Sequence, residues 1–114
     1  MRHLLFALLL TFLAPAAWAD PARLLMVRSD ACHWCRAWEA EVAPAYAASR
    51  QGRAAPLQRI EIDGPWPDGI ALARRPYVTP TFILIRSGAE VGRIEGYPGP
   101  DGFWQLLDGL LAVP

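Results

Sequence analysis

The alternation of apolar and polar positions divides the chain into strand-like and helix-like stretches. Leu24 to Arg28 is short and apolar on both faces, as a buried central strand should be. Beyond it the period changes. From Arg36 to about Gln51 a helix is expected, with Cys35, Trp38, Val42 and Tyr46 recurring every three or four positions to line its apolar face. Trp38 reads as a core residue. Pro44 falls inside that stretch, lacks a backbone donor, and should kink or restart the helix; Gly52 is placed to end it. Leu57 to Ile62 alternates apolar and polar, the mark of a second strand. Asp63 to Gly69 holds too many breakers for regular structure, with at most a short helix after it over Ile70 to Arg75. Thr81 to Ile85 is a third strand with Pro80 at its head. Ser87-Gly88 turns the chain, and Val91 to Glu95 returns as the partner strand of a hairpin. Gly96-Tyr97-Pro98-Gly99 breaks the pattern again. Pro100 to about Ala112 closes the chain as a helix, Pro100 in its first turn and Phe103, Leu106, Leu107, Leu110 and Leu111 on one face. A strand–helix–strand unit requires a parallel pairing with a right-handed crossover. With the hairpin and last helix added, the expectation is an α/β fold: a four-stranded mixed sheet with helices on both faces.

The N-terminus carries a different pattern. Met1-Arg2-His3 is a short basic start, Leu4 to Ala14 is apolar apart from Thr11, and Ala17-Trp18-Ala19 places small residues where a signal peptidase reads. Residues 1–19 therefore read as a secretory signal peptide, cleaved between Ala19 and Asp20, with residues 20–114 as the mature domain. The run falls short of the roughly 20 apolar residues that span a bilayer, although Leu4 to Trp18 could also serve as an uncleaved signal anchor. Export places the rest in an oxidising compartment, where disulfides persist. The mature chain suffices for one small domain with one core. Its ten arginines face eleven carboxylates, Arg2 having left with the leader, so the charge is −1. That balance shows neither a nucleic-acid footprint nor a polybasic membrane patch.

The chemistry concentrates in Ala31-Cys32-His33-Trp34-Cys35-Arg36, which holds both cysteines of the chain. The stretch sits where the first strand gives way to the helix, with Ser29 and Asp30 just ahead as capping residues. Unpaired N–H groups and the helix dipole at such a position favour a negative charge. Cys32 is thus expected to be the acidic, attacking thiol, and Cys35, one turn on, lies close enough to close a disulfide. A purely structural disulfide would be an odd use of this spacing, because chain entropy yields only about 2 kcal/mol for so short a loop against roughly 4–5 for one of ~100 residues. A zinc site needs about four ligands, and the chain offers two Cys and two His, one of them in the leader. Covalent haem attachment wants His straight after the second cysteine, where Arg36 stands. Redox chemistry leads, with a structural pair and a metal site as the weaker alternatives.

Cys-x-x-Cys beside a strand–helix–strand unit is the signature of a thioredoxin-like redox domain, and the chain resembles the thioredoxin superfamily in its short form, without the extra N-terminal strand and helix. The resemblance rests on Cys32-His33-Trp34-Cys35 after the first strand, on Val78-Thr79-Pro80-Thr81-Phe82 with Pro80 at the superfamily's cis-proline position, and on Gly88 to Gly96 across the hairpin. Cys32 to Glu39, Thr79 to Phe82 and Gly92 to Gly99 further resemble the small periplasmic thioredoxins encoded with bacterial sulfur-oxidation (Sox) genes. That resemblance implies a thiol–disulfide oxidoreductase located in the periplasm. It implies a protein thiol or disulfide as substrate, a Sox sulfur-carrier protein among the candidates, and a membrane thiol-electron transporter as reductant. A monomer without cofactor is expected. Cys32 and Cys35 would be catalytic, and His33, Trp34, Thr79 and Pro80 would meet the substrate. Departures matter too. His33-Trp34 stand where thioredoxin has Gly-Pro, and the intervening pair tunes a redox poise that spans roughly 150 mV. Met26 stands where thioredoxin has a buried Asp thought to deprotonate the second cysteine. A non-catalytic module holding copper(I) through Cys32 and Cys35 is the alternative from another class; the absence of a Met or second His near the pair argues against it.

Overall fold

The computed structural model describes Thr11, Leu13 and residues 22–114; the expected cleavage point between Ala19 and Asp20 lies outside them. Strand β1 (Arg23–Arg28) leads into three helical segments, α1 (His33–Glu41), α2 (Ala43–Tyr46) and α3 (Arg50–Ala54). These are followed by β2 (Leu57–Glu61), an irregular stretch, the hairpin β3 (Thr81–Arg86) and β4 (Ala89–Glu95), and α4 (Pro100–Leu111). The four strands form one mixed sheet in the order β2-β1-β3-β4, with β1 parallel to β2 and antiparallel to β3. The α/β class and the four-stranded mixed sheet read from the sequence are the ones observed.

Strand β1 is apolar on both faces because it has a strand on each side and a core above and below. Leu24 and Met26 enter one apolar cluster, and Leu25 and Val27 the other. The larger cluster is built on Trp38, whose ring lies 5.1 Å from Phe82 and 5.6 Å from Phe103, centroid to centroid. Cys35, Trp38, Val42 and Tyr46 are all buried there, as the helical period requires. Tyr46 donates its hydroxyl to the Ala55 carbonyl at 2.6 Å, and that burial raises the pKa of the phenol.

Several expectations need correction. The helix starts at His33, ahead of the expected Arg36, and breaks at Val42; it restarts as α2 with Pro44 in the first turn, as expected. Gly52 does not terminate a helix. It lies within α3, where a Cβ would stand 1.8 Å from the Tyr46 carbonyl oxygen, so its role is close packing. In α4, Leu106 is 51% exposed; Trp104 packs in its stead, its ring stacked on Tyr46 at 5.9 Å. Nor, among the described residues, do helices cover both faces of the sheet. Helical residues enter only the Trp38 cluster, and the second face is covered by Ile62, Trp66, Ile70 and Leu72 from the irregular stretch. The short helix expected over Ile70 to Arg75 is absent because the backbone there is spent on the sheet. Ala71 donates its N–H to the Gly88 carbonyl at 2.8 Å and accepts from the Glu90 N–H at 2.9 Å. Ile70 and Leu72, two positions apart, thereby reach the same side, as in a strand.

Candidate active site

The site forms where β1 ends. Residues 29–31 turn the chain, and Cys32 takes an extended conformation (φ −82°, ψ 104°) as the N-cap of α1. Its Sγ accepts the Cys35 backbone N–H at 3.0 Å. The first turn of a helix leaves such donors without intrahelical partners, and here one is satisfied by sulfur. Ser29 and Asp30, expected as caps, do other work. Ser29 offers its carbonyl to the Cys32 N–H at 3.2 Å, while Asp30 pairs with Arg28 at 3.2 Å and accepts the Arg36 guanidinium on its backbone oxygen. Cys32 and Cys35 are joined as a disulfide with their Cα atoms 5.2 Å apart. Cys32 is 7% exposed and Cys35 only 2%, and both belong to the apolar cluster built on Trp38. His33 and Trp34 project outward between them, the rings edge to face at 5.0 Å and Trp34 57% exposed.

The second half of the site comes from 45 residues further on. Val27 pairs with Thr81 across the antiparallel β1–β3 ladder, so the end of β1 lies beside the start of β3. The loop just before β3 therefore meets the loop just after β1, and Ser29 Oγ stands 3.4 Å from Thr79 Oγ1. Pro80 is buried at the head of the strand, its peptide bond with Thr79 cis; Gly64–Pro65, in the irregular stretch after β2, is cis as well. The Pro80 carbonyl accepts the Gly96 N–H at 2.8 Å, and Thr81 Oγ1 donates to the Val78 carbonyl at 2.7 Å. All six residues singled out in the sequence thus lie on these two adjoining loops and the first turn of α1. Sequence reasoning passed over Tyr77, 72% exposed two residues before Thr79, whose hydroxyl reaches Glu95 at 3.4 Å. A lone aromatic in a proline-rich loop gave no periodic signal that could have marked it.

A disulfide-forming Cys-x-x-Cys pair at a helix start, on a four-stranded mixed sheet, defines a thiol–disulfide oxidoreductase. No family model matches the chain, and no curated protein does. Among solved structures it is similar to the periplasmic thioredoxin SoxS from Paracoccus pantotrophus in its reduced form, with 48% identity and a TM-score of 0.77, covering 79% of this chain and 95% of that one. It is also similar to Trxlp from Edwardsiella tarda (24% identity, TM-score 0.58, 76% of this chain and 82% of that one). A thioredoxin from Malassezia sympodialis matches at 14% identity and a TM-score of 0.54, covering 82% and 77% of the two chains. The last two likenesses concern the fold alone. The chain belongs to the thioredoxin superfamily.

Proposed function

We propose that this chain is an exported, periplasmic reductase that keeps the active cysteine of a partner protein in its working state. Cys32 is the attacking sulfur and Cys35 the resolving one. The Cys32 thiolate attacks a partner's disulfide or S-modified cysteine; a bond forms between the two sulfurs and the displaced sulfur leaves with the electron pair, taking a proton from water. Cys35 then gives up its proton and attacks Cys32, which releases the reduced partner and leaves the domain oxidised. The Thr79 main chain receives the partner's extended segment as an added strand would. Pro80 has no N–H and so leaves no unpaired donor facing that segment. His33 and Trp34 form the rim against which the partner packs.

The observation that carries the reading is the asymmetry of the two sulfurs. Cys32 caps the helix and is the more exposed, and Cys35 is the more deeply buried of the two. The leader pattern of residues 1–19 and the likeness to a periplasmic SoxS support export. As the sequence resemblance to Sox-encoded thioredoxins implies, the partner in this reading is a sulfur-carrier protein and the source of electrons a membrane thiol-electron transporter, with the domain acting as a monomer. The test is the reduction potential of the Cys32–Cys35 pair. A reductase should sit near thioredoxin's value of about −270 mV; a value near about −120 mV would make the protein an oxidant and overturn the proposal.

A further inference from the structure

An ion pair that the exchange reaction does not use lies between the irregular stretch and β4. The side chains of Glu90 and Arg93 are 6% and 5% exposed. Arg93 donates from Nε to Glu90 Oε2 at 2.9 Å and from Nη2 to Oε1 at 2.6 Å. Two such groups taken out of water carry a desolvation penalty that only good geometry and further hydrogen bonds offset. Both further bonds run to the same place. Arg93 Nη2 also donates to the backbone carbonyl of Arg74 at 2.6 Å, and the Ala73 N–H donates to Glu90 Oε1 at 3.2 Å. The pair thus clamps the main chain of two consecutive residues, at the Ala73 N–H and the Arg74 carbonyl, in a stretch that has no helical ladder of its own.

Directly beyond the clamp the chain enters the loop that meets the turn ahead of Cys32. The Arg74 side chain pairs with Glu95, and Tyr77 reaches the same carboxylate. Pro76 is buried, and two residues beyond Tyr77 stands Thr79 beside Ser29. Main-chain anchors flank the clamp at Ala71 and at Pro80, and between them the clamp holds the only peptide groups tied to β4 among the described residues. Lysine could not replace Arg93, because a single ammonium cannot present the planar fork that spans both Glu90 oxygens and the Arg74 carbonyl.

We propose that Glu90 and Arg93 are positioning residues for the docking loop, holding residues 77–80 where a partner's main chain can pair beside Cys32. The inference rests on the reading that Thr79 receives that main chain. It is tested on the mature protein with Arg93→Lys and Glu90→Gln, measuring dithiothreitol-driven reduction of insulin, iodoacetamide alkylation of Cys32, and amide exchange by peptide. A displacement of about 1 Å can cost up to ~100-fold. The expected outcome for Arg93→Lys is therefore a KM for insulin raised about tenfold with kcat within about twofold. Alkylation of Cys32 should keep its rate, and exchange should speed up across residues 73–79 while β1 and β3 stay protected. Glu90→Gln, which keeps an acceptor for the Ala73 N–H, should show the same split more weakly, and it carries the test if Arg93→Lys fails to fold. Faster exchange with an unchanged KM would make the pair merely structural and overturn the proposal, as would an unchanged loop. Pro80→Ala is measured alongside. If it raises KM and Arg93→Lys does not, this inference alone fails; if neither does, the docking reading falls and takes this inference with it.

Discussion

Reduction followed by alkylation should separate the two cysteines sharply, and the structure sets how sharply. Cys32 Sγ sits 3.0 Å from the Cys35 N–H at the start of α1. If the sulfur keeps that place when the disulfide opens, the Cys32 thiolate retains a hydrogen bond to a charged acceptor, worth about 1.5–3 kcal/mol. The helix dipole adds about 0.3–1 kcal/mol. Cys35, 2% exposed within the apolar cluster built on Trp38, lacks that hydrogen bond and lies further into the helix, and its charged form is disfavoured by desolvation. A difference of about 2–4 kcal/mol between the thiolates results, or roughly 30- to 1,000-fold in their populations at about 1.4 kcal/mol per tenfold. The more stable thiolate is also the weaker nucleophile, with a Brønsted coefficient of about 0.4–0.5, which cancels nearly half of that advantage on a logarithmic scale. About tenfold or somewhat more should survive as a ratio of labelling rates. The assay is a short iodoacetamide pulse at about pH 6, where an acidic thiol is charged and an ordinary one is not. Both cysteines lie on the tryptic peptide Ser29 to Arg36, so fragment ions must assign the label. Cys35→Ser should in turn let mixed disulfides with partners accumulate. Equal labelling, or faster labelling of Cys35, would refute the reasoning.

Two further outcomes are expected from the fold. Gly52→Ala would ordinarily stabilise a helix by about 0.5–1 kcal/mol; here the new Cβ meets the Tyr46 carbonyl oxygen at 1.8 Å, and overpacking costs about 1–3 kcal/mol. The denaturation midpoint should therefore fall, and an unchanged or raised midpoint would show that α3 moves freely against α2. The hydrogen bond from Arg93 holds the Glu90 carboxyl below its ordinary value of 4.5, against the opposing effect of burial. A depressed folded-state value means that the contribution is present above 4.5 and is lost as the pH falls through the lower folded value. Acid melting of the parent should be steeper there than that of Glu90→Gln, and matching slopes would remove the carboxylate from the account.

Where the signal was local, the sequence carried the fold and the site. The three- and four-residue recurrence of Cys35, Trp38, Val42 and Tyr46 needs nothing beyond the helical period to be read. The two site motifs each announce themselves within five residues, and the β1–β3 ladder then brings them together. Elsewhere, one local signal had two structural meanings. Gly52 carries the mark of a helix terminator, yet a missing Cβ equally permits close packing, and only the position of the Tyr46 carbonyl decides which. Ile70 and Leu72 suit a helix beginning or a strand, and the choice is made by Gly88 and Glu90, far along the chain. Leu106 and Trp104 compete for one helical face, and the ring of Tyr46 selects the tryptophan.

The Glu90–Arg93 clamp was hidden for a sharper reason. In a regular strand, residues three apart point to opposite faces, so a carboxylate and a guanidinium at that spacing should never meet. Between Ile85 and Leu84 the register of β4 slips from Glu90 to Gly92, which makes Val91 an extra residue. A bulge of this kind resets the alternation by one, and it returns Glu90 and Arg93 to the same side, where their side chains close. The slip is a property of the β3–β4 pairing and not of either strand alone. The residues that tie the docking loop to the sheet are therefore visible only once the hairpin is built, whereas the cysteines they serve can be read from the chain itself.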